Sequence, residues 1–282
     1  MINKLKNYLL DIRDRQRIII SLTKGGAMMG ARRVDLTSPA SWEFSGFSQN
    51  GEDGIIDVLR TQLLKRNRYF VEIGCSDGIE NNSAWLVVAE KLSGIMIEGD
   101  PALAERAKRM IAGHSVGGEC RNMFVTRQNI RELKTLMFHS DPDVFSLDID
   151  GNDYYIAKAI LENGIRPKIF VVEFNSVFGA ERSVTVPYRD DFVFSSAHPT
   201  QLYYGVSIKG WRNFFETQGY QFITIDQNGV NAFFVDPLHF DRNFLKNISP
   251  LYFAENLYQY RKFRKPSADQ FKLIETEKFV DI

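Results

Sequence analysis

Residues 69–78, Tyr69-Phe70-Val71-Glu72-Ile73-Gly74-Cys75-Ser76-Asp77-Gly78, decide how this chain is read. Five residues dominated by apolar and β-favouring side chains stop at a glycine, and a second glycine follows four positions later. A short apolar run closed by glycine is the pattern of a strand buried on both faces, which belongs in a parallel sheet. Outward from it, the same punctuation recurs. Upstream, Glu52 to Lys65 places Ile55, Ile56, Leu59, Leu63 and Leu64 at helical spacing. Downstream, Asn82 to Lys91 reads as a helix and Gly94 to Glu98 as a second strand. Pro101 to Ile111 reads as a helix with proline in its first turn, where the missing N–H costs nothing. Asn129 to Phe138 is a further helix, Val144 to Asp150 a strand, Asp153 to Glu162 a helix and Lys168 to Phe174 a strand. Such alternation predicts an α/β fold: a mostly parallel sheet with helices on both faces. Ser207 to Gln218 then reads as a helix ended by Gly219. Tyr220 to Asp226 and Val230 to Val235 flank Asn228-Gly229, the signal of a C-terminal antiparallel hairpin.

Composition sets the outer bounds. The 282 residues carry 35 Lys+Arg against 35 Asp+Glu, a net charge of zero that argues against a dedicated nucleic-acid binder. With 44% hydrophobic and 25% charged residues the chain is too apolar for disorder. Cys75 and Cys120 form no CxxC pair and read as reduced thiols. No apolar run reaches the roughly 18–20 residues of a membrane span, and charges interrupt any signal-peptide core near the N-terminus. A cytoplasmic protein without a transmembrane segment is expected.

Residues 1–33 hold eight basic and two acidic side chains, with Ile2, Leu5, Leu9 and Ile12 at helical spacing. This predicts a helix docked on its own domain or on a second subunit, giving a homo-oligomer, with an anionic membrane surface as the other reading. Lys24 to Ser45 reads as a Gly-rich linker or lid. The expected organisation is an N-terminal helical extension and linker (1–45), one α/β domain (46–240) and a C-terminal extension (241–282). Arg261 to Lys265 is a basic run, by default a solvated helix face, or else a contact for a phosphate-bearing substrate.

Ligands of open α/β sheets bind beyond the carboxyl ends of the strands. Here those ends are acidic: Glu72 and Asp77 after the first strand, Glu98 and Asp100 after the second, Asp148, Asp150 and Asp153 after the fourth, Glu173 with Asn175 after the fifth. Turn chemistry alone does not require an acid at every end. Gly74 and Gly78 leave the backbone open to a ligand, but Ser76 stands where a dinucleotide fingerprint has its middle glycine, which disfavours a nicotinamide oxidoreductase. Glu72 suits a cationic or amine-bearing ligand. Glu98, 26 residues later, is placed to accept two ribose hydroxyls, the spacing of an adenosine cofactor site.

Several blocks resemble the FkbM-like S-adenosylmethionine-dependent methyltransferases, near the branch that shares a module with Star-like proteins. They are Phe47-Ser48-Gln49-Asn50-Gly51-Glu52-Asp53, Phe70-Val71-Glu72-Ile73-Gly74 with Asp77-Gly78, Ile97-Glu98-Gly99-Asp100-Pro101, Leu147-Asp148-Ile149-Asp150-Gly151-Asn152-Asp153-Tyr154 and Val172-Glu173-Phe174-Asn175. Shorter ones follow at Val186-Pro187-Tyr188, Tyr204-Gly205-Val206-Ser207 and Asn231-Ala232-Phe233-Phe234-Val235, so the resemblance covers about residues 46–236. It implies a Rossmann-like methyltransferase fold with S-adenosylmethionine across the first, second and fourth strand ends. By that resemblance Gly74 and Gly78 pass near the methionine moiety and Glu98 holds the ribose. Glu72, Asp77 and Asp148 orient the amino group or nearby water, while Gln49 and Asn82 flank the cavity. The implied reaction is O-methylation of a sugar hydroxyl in a nucleotide sugar or surface-polysaccharide precursor. A non-catalytic Star-like binding module is the alternative.

A sugar hydroxyl is a weak nucleophile and needs a base or a metal. Asp150, Asp153, Glu173 and Asn175 offer oxygen ligands of the kind that suit Mg²⁺ or Mn²⁺. His198, in the loop Ser195-Ser196-Ala197-His198-Pro199, is the histidine placed to serve as general base or third metal ligand, or else is simply solvated. In a metal-free site Asp150 caps a helix and Glu173 bonds a sugar hydroxyl.

Overall fold

The computed structural model describes residues 2–282, with side chains described from residue 8 onward. The expected contributions of Ile2, Lys4, Leu5 and Lys6 to an N-terminal face lie outside the described side chains. In chain order the structure runs α1 (Ile2–Ala31), α2 (Glu52–Thr61), β1 (Tyr69–Ile73), α3 (Ala84–Val88), β2 (Ser93–Glu98), α4 (Pro101–His114), β3 (Gly118–Asn122), α5 (Ile130–Leu136) and β4 (Val144–Leu147). It continues with α6 (Asp153–Glu162), β5 (Ile169–Glu173), β6 (Val184–Thr185), α7 (Phe194–Ala197), α8 (Ile208–Thr217), β7 (Gln221–Ile225) and β8 (Asn231–Val235). The last elements are α9 (Arg242–Asn247), α10 (Leu257–Phe263), α11 (Ser267–Phe271) and β9 (Val280–Asp281).

Seven strands form one sheet in the order β3-β2-β1-β4-β5-β8-β7. β1 to β5 are mutually parallel, and β8 runs antiparallel between β5 and β7. The expected Rossmann-like α/β architecture with a closing antiparallel hairpin is present. Strand order reverses between β1 and β4, so the ligand crevice of such a sheet falls above their carboxyl ends. Neighbouring residues of each strand enter opposite cores. Phe70, Met96 and Val171 pack with α2, α3 and α4, whereas Val71, Ile97 and Phe170 pack with α5, α6 and α8. Burying each such side chain contributes roughly 1.5–3 kcal/mol, which is why the strands read as unbroken apolar runs.

Three departures from the sequence reading have physical causes. First, the supposed linker begins as helix: α1 continues through Gly25, Gly26 and Gly30 to Ala31. A Cβ on Gly25 would lie 2.4 Å from the Trp85 ring and 2.8 Å from Gly46 Cα, so this glycine lets the helix cross the domain in close contact. Beyond it Trp42 and Phe44 are fully buried, and Arg32 pairs with Asp57 and bonds the Trp42 carbonyl, so the passage is core and not a lid. Second, β3 has the polar sequence Gly-Glu-Cys-Arg-Asn and no apolar run, because an edge strand need bury only Cys120. Third, the chain's end returns. β9 pairs with β6, and α10 sends Gln259 to the Tyr204 hydroxyl at 3.1 Å, fastening residues 241–282 over the carboxyl edge of the sheet. Cys75 and Cys120 are buried and unpaired. Among the described residues no helix is long and apolar enough to cross a membrane.

Candidate active site

Register builds the site. Ile73 lies opposite Ile97 on one side and Leu147 on the other, and Leu147 lies opposite Val172. One residue further on, the four strands deliver Gly74, Glu98, Asp148 and Glu173 at one level across the sheet. After β4 the chain turns through Asp150, whose φ of +54° is unusual for a residue with a side chain. Strain of this kind concentrates at functional positions. The turn is held by Asp153, whose carboxylate accepts from the N–H groups of Ile149 (2.9 Å) and Gly151 (2.8 Å).

Asp148, Asp150 and Glu173 each place a carboxylate oxygen within 4.8 Å of the others. Glu173 is buried, Asp148 half-buried and Asp150 exposed at the rim. Among the described residues no Lys, Arg or His pairs with any of the three. The Tyr204 hydroxyl donates to Glu173 at 3.4 Å. Burial, followed by mutual repulsion, pushes Asp148 and Glu173 well above the usual carboxylate range. Asp150, although open at the rim, is pushed the same way by loss of water on its inner side and by Glu98. Three crowded oxygen donors without a cationic partner fit a hard divalent cation such as Mg²⁺ or Mn²⁺.

Two hollows meet at this wall. One, of about 320 Å³, is lined by Ile97, Glu98, Leu103, Met123, Phe124 and Val125 and is bounded by Asp148 and Asp150. The other, of about 350 Å³, is lined by Gln49, Asp148, Asp150, Glu173, Tyr204 and Lys262. Both fall in the size range of small-molecule sites. In the first, Glu98 accepts from the N–H groups of Ser76 and Asp100, both at 2.8 Å, which fixes its carboxylate while leaving lone pairs for a ligand. The apolar trio Met123-Phe124-Val125 supplies a flat, greasy lining next to that acid.

The structure redistributes the roles read from sequence. Gly74 lines the site, but its first duty is packing: a Cβ there would lie 1.6 Å from the Asp148 carbonyl oxygen. Gly78 faces helix α4, with the Ala107 Cα at 2.8 Å from a built Cβ, so it serves helix packing and not a ligand. Glu72 accepts from the N–H groups of Asn82 (2.9 Å) and Ser83 (3.1 Å), holding the entry to α3, and burial pushes it up to about 7. Asn82 spends its amide on Ser146 (3.1 Å). With Gln49 these two border a recess of about 90 Å³ beside Asp148. Asp77 is taken by Arg17 of α1 at 2.5 Å and Arg106 at 2.9 Å. Asp153 and Asn175 are structural: Asp153 holds the turn, and Asn175 donates to the Leu202 and Tyr204 carbonyls. His198 is the clearest correction. Its Nδ1 bonds the Thr200 hydroxyl at 2.8 Å and its Nε2 faces Glu277 at 3.9 Å, outside the acidic group. The third carboxylate position belongs to Asp148.

No family model matches the chain, and no curated protein matches it. Among solved structures it is similar to an O-methyltransferase from Bacillus cereus in complex with S-adenosylhomocysteine (17% identity, 83% of this chain and 98% of that one, TM-score 0.43). It is also similar to the O-methyltransferase TomG from Streptomyces achromogenes, in complex with S-adenosylmethionine (20% identity, 67% and 80%, TM-score 0.43). A third is the N-terminal domain of EvdMO1 in the presence of S-adenosylhomocysteine and D-fucose (12% identity, 65% and 80%, TM-score 0.42).

The block 47–53 also contains residues to which the sequence reading gave no role. The loop 46–50, which carries Gln49 into the acid-lined hollow, hangs on Asp53: its carboxylate accepts from the N–H groups of Gly46, Phe47 and Ser48 at 2.8–3.0 Å. Burial pushes Asp53 up to about 7. Glu52 anchors the same loop to the start of β8, accepting from the Asn50 N–H (2.6 Å) and the Asn231 amide (2.8 Å). The acids of this block are scaffolding, and its polar Gln49 and Asn50 line the hollows.

Proposed function

We propose that this chain is an S-adenosylmethionine-dependent O-methyltransferase of the FkbM-like kind, acting on a hydroxyl of a saccharide or nucleotide sugar with a divalent cation at Asp148, Asp150 and Glu173. The observation that carries this reading is the shared wall: the same two aspartates bound the Glu98 slot and the acid-lined hollow. A donor in one and an acceptor in the other would meet across Asp148 and Asp150, the proximity that an in-line displacement needs.

The residues divide the work. Glu98 is fixed to accept the two ribose hydroxyls, and Met123, Phe124 and Val125 offer the adenine an apolar lining. S-Adenosylmethionine, when bound, supplies an electrophilic sulfonium methyl, and a divalent cation would acidify the acceptor hydroxyl. Asp148, Asp150 and Glu173 would hold that cation. A carboxylate of this group is also placed to accept the hydroxyl proton. Tyr204 and Gln259 steady Glu173, and Gln49 offers an amide to the acceptor. The test is transfer of labelled methyl from S-adenosylmethionine to a panel of nucleotide sugars and oligosaccharides, with Mn²⁺ and with chelator. Product that forms with metal and is lost in chelator supports the proposal. Failure of the protein to bind S-adenosylhomocysteine at high micromolar concentration overturns it.

A further inference from the structure

A third hollow, of about 590 Å³, adjoins the acid-lined one and shares with it Gln49, Asn50, Asn228 and Tyr258. One wall is α1, where Arg17, Ile20, Ser21 and Lys24 stand at i, i+3, i+4 and i+7 and so share one helix face. The facing wall is α10, with Leu257, Tyr258 and Arg261. The close crossing at Gly25 fixes the first wall against Trp85 and Gly46. Thus the two ends of the chain bring their basic residues together over the site.

Charge distinguishes the two hollows. The large one is lined by Arg17, Lys24 and Arg261 against Glu80, which is 3 − 1 = +2. The acid-lined one holds Lys262 against Asp148, Asp150 and Glu173, which is 1 − 3 = −2 with the acids ionised. Arg17 is engaged by Asp77 (2.5 Å) and Glu80 (3.3 Å), but Lys24 and Arg261 have no carboxylate partner among the described residues. Lys24 and Arg261, exposed and without a carboxylate partner, leave their charge available to an anion that enters the cavity. The exposed faces of Ile20, Leu257 and Tyr258 add apolar surface of the kind that covers a sugar ring.

We propose that this basic hollow holds an anionic group, phosphate or carboxylate, borne by the acceptor saccharide at a distance from the hydroxyl that is methylated. Such a group is attracted by Arg17, Lys24 and Arg261 and repelled by the acid cluster, so the charge pair sets which end of the acceptor reaches Asp148 and Asp150. The orientation rests on the methyltransferase reading; the anion binding does not.

The probes are pyrophosphate and uridine diphosphate for phosphate, a glucuronate-containing disaccharide for carboxylate, and lactose as the neutral control. Each is titrated calorimetrically into the full chain with S-adenosylhomocysteine present, against Lys24→Glu/Arg261→Glu, both at exposed positions. At least one anionic probe binds the unaltered chain, and the double variant weakens it by about tenfold or more, the scale of lost charge-assisted hydrogen bonds. Lactose and S-adenosylhomocysteine affinities stay unchanged. Which arm responds identifies phosphate or carboxylate. Equal anion affinity in the double variant, or no anion binding at low salt, overturns the proposal. If anions bind and depend on Lys24 and Arg261 while S-adenosylhomocysteine does not bind at all, the basic hollow stands and the methyltransferase reading falls.

Discussion

Replacing Glu173 with Gln should make the chelated protein more stable at alkaline pH and deprive it of stabilisation by metal. Glu173 is buried and its carboxylate faces Asp148 and Asp150 within 4.8 Å. Two unit charges at about that distance repel by roughly 3–4 kcal/mol at an effective dielectric of 20. Solvent at the exposed Asp150 reduces this to about 1–2 kcal/mol of expected net gain. Gln is isosteric and still accepts from the Tyr204 hydroxyl. The sign follows from linkage: a carboxyl raised in the folded state binds its proton more tightly there than in the unfolded chain. Wild-type stability therefore falls as pH rises from the ordinary Glu value toward the raised one, and the full penalty is present above it. The variant lacks that slope. In EDTA, thermal melts should coincide near pH 4, and at pH 8 the variant should melt about 2–4 °C higher. With Mn²⁺ the order reverses, since only the intact acid group gains stability by binding. A Glu173→Gln protein that melts below wild type at pH 8 in chelator, with an unchanged pH profile, would refute the reasoning.

Mn²⁺ should raise the wild-type melting temperature more at pH 8 than at pH 6, because raised carboxyls must shed protons to bind it; an equal or inverse shift would place the ion elsewhere. Gly78→Ala should cost about 1–3 kcal/mol in denaturant melts, from a φ of +81° and the 2.8 Å approach to Ala107, while S-adenosylhomocysteine affinity holds. His198→Ala should leave metal-induced stabilisation within error, and a lost metal response would restore it as a ligand. Asp77→Asn should loosen α1 by removing the acid shared by Arg17 and Arg106, seen as faster limited proteolysis within residues 8–31.

Much of the sheet could be read because strands buried on two faces advertise themselves. Asp153 to Glu162 was predicted to the residue, and β1, β2 and β5 within a residue or two, since each is apolar and stops at a polar turn. β3 could not be read the same way: one buried cysteine among polar neighbours carries no periodicity. Gly25 misled for the opposite reason, because a glycine that permits helix packing looks in sequence like one that ends a helix. Acids at strand ends pointed to the edge where the structure gathers Asp148, Asp150 and Glu173, yet sequence could not sort them. Asp153 and Asn175 spend their groups on backbone, Glu72 holds a helix entry, and Asp148 joins the ligand group only because sheet register puts it beside Glu173. Arg17, Lys24 and Arg261 lie more than two hundred residues apart along the chain at the extremes, so their meeting is a tertiary fact.

The account stands or falls on Glu98 holding a nucleoside beside the acid wall. Calorimetric titration of S-adenosylhomocysteine into wild type, Glu98→Gln and Glu98→Ala addresses this directly. Saturable binding by wild type is expected, weakened at least about tenfold in both variants through the lost charged acceptor. Wild-type binding that survives both substitutions undiminished, or an absence of binding in all three, would contradict it.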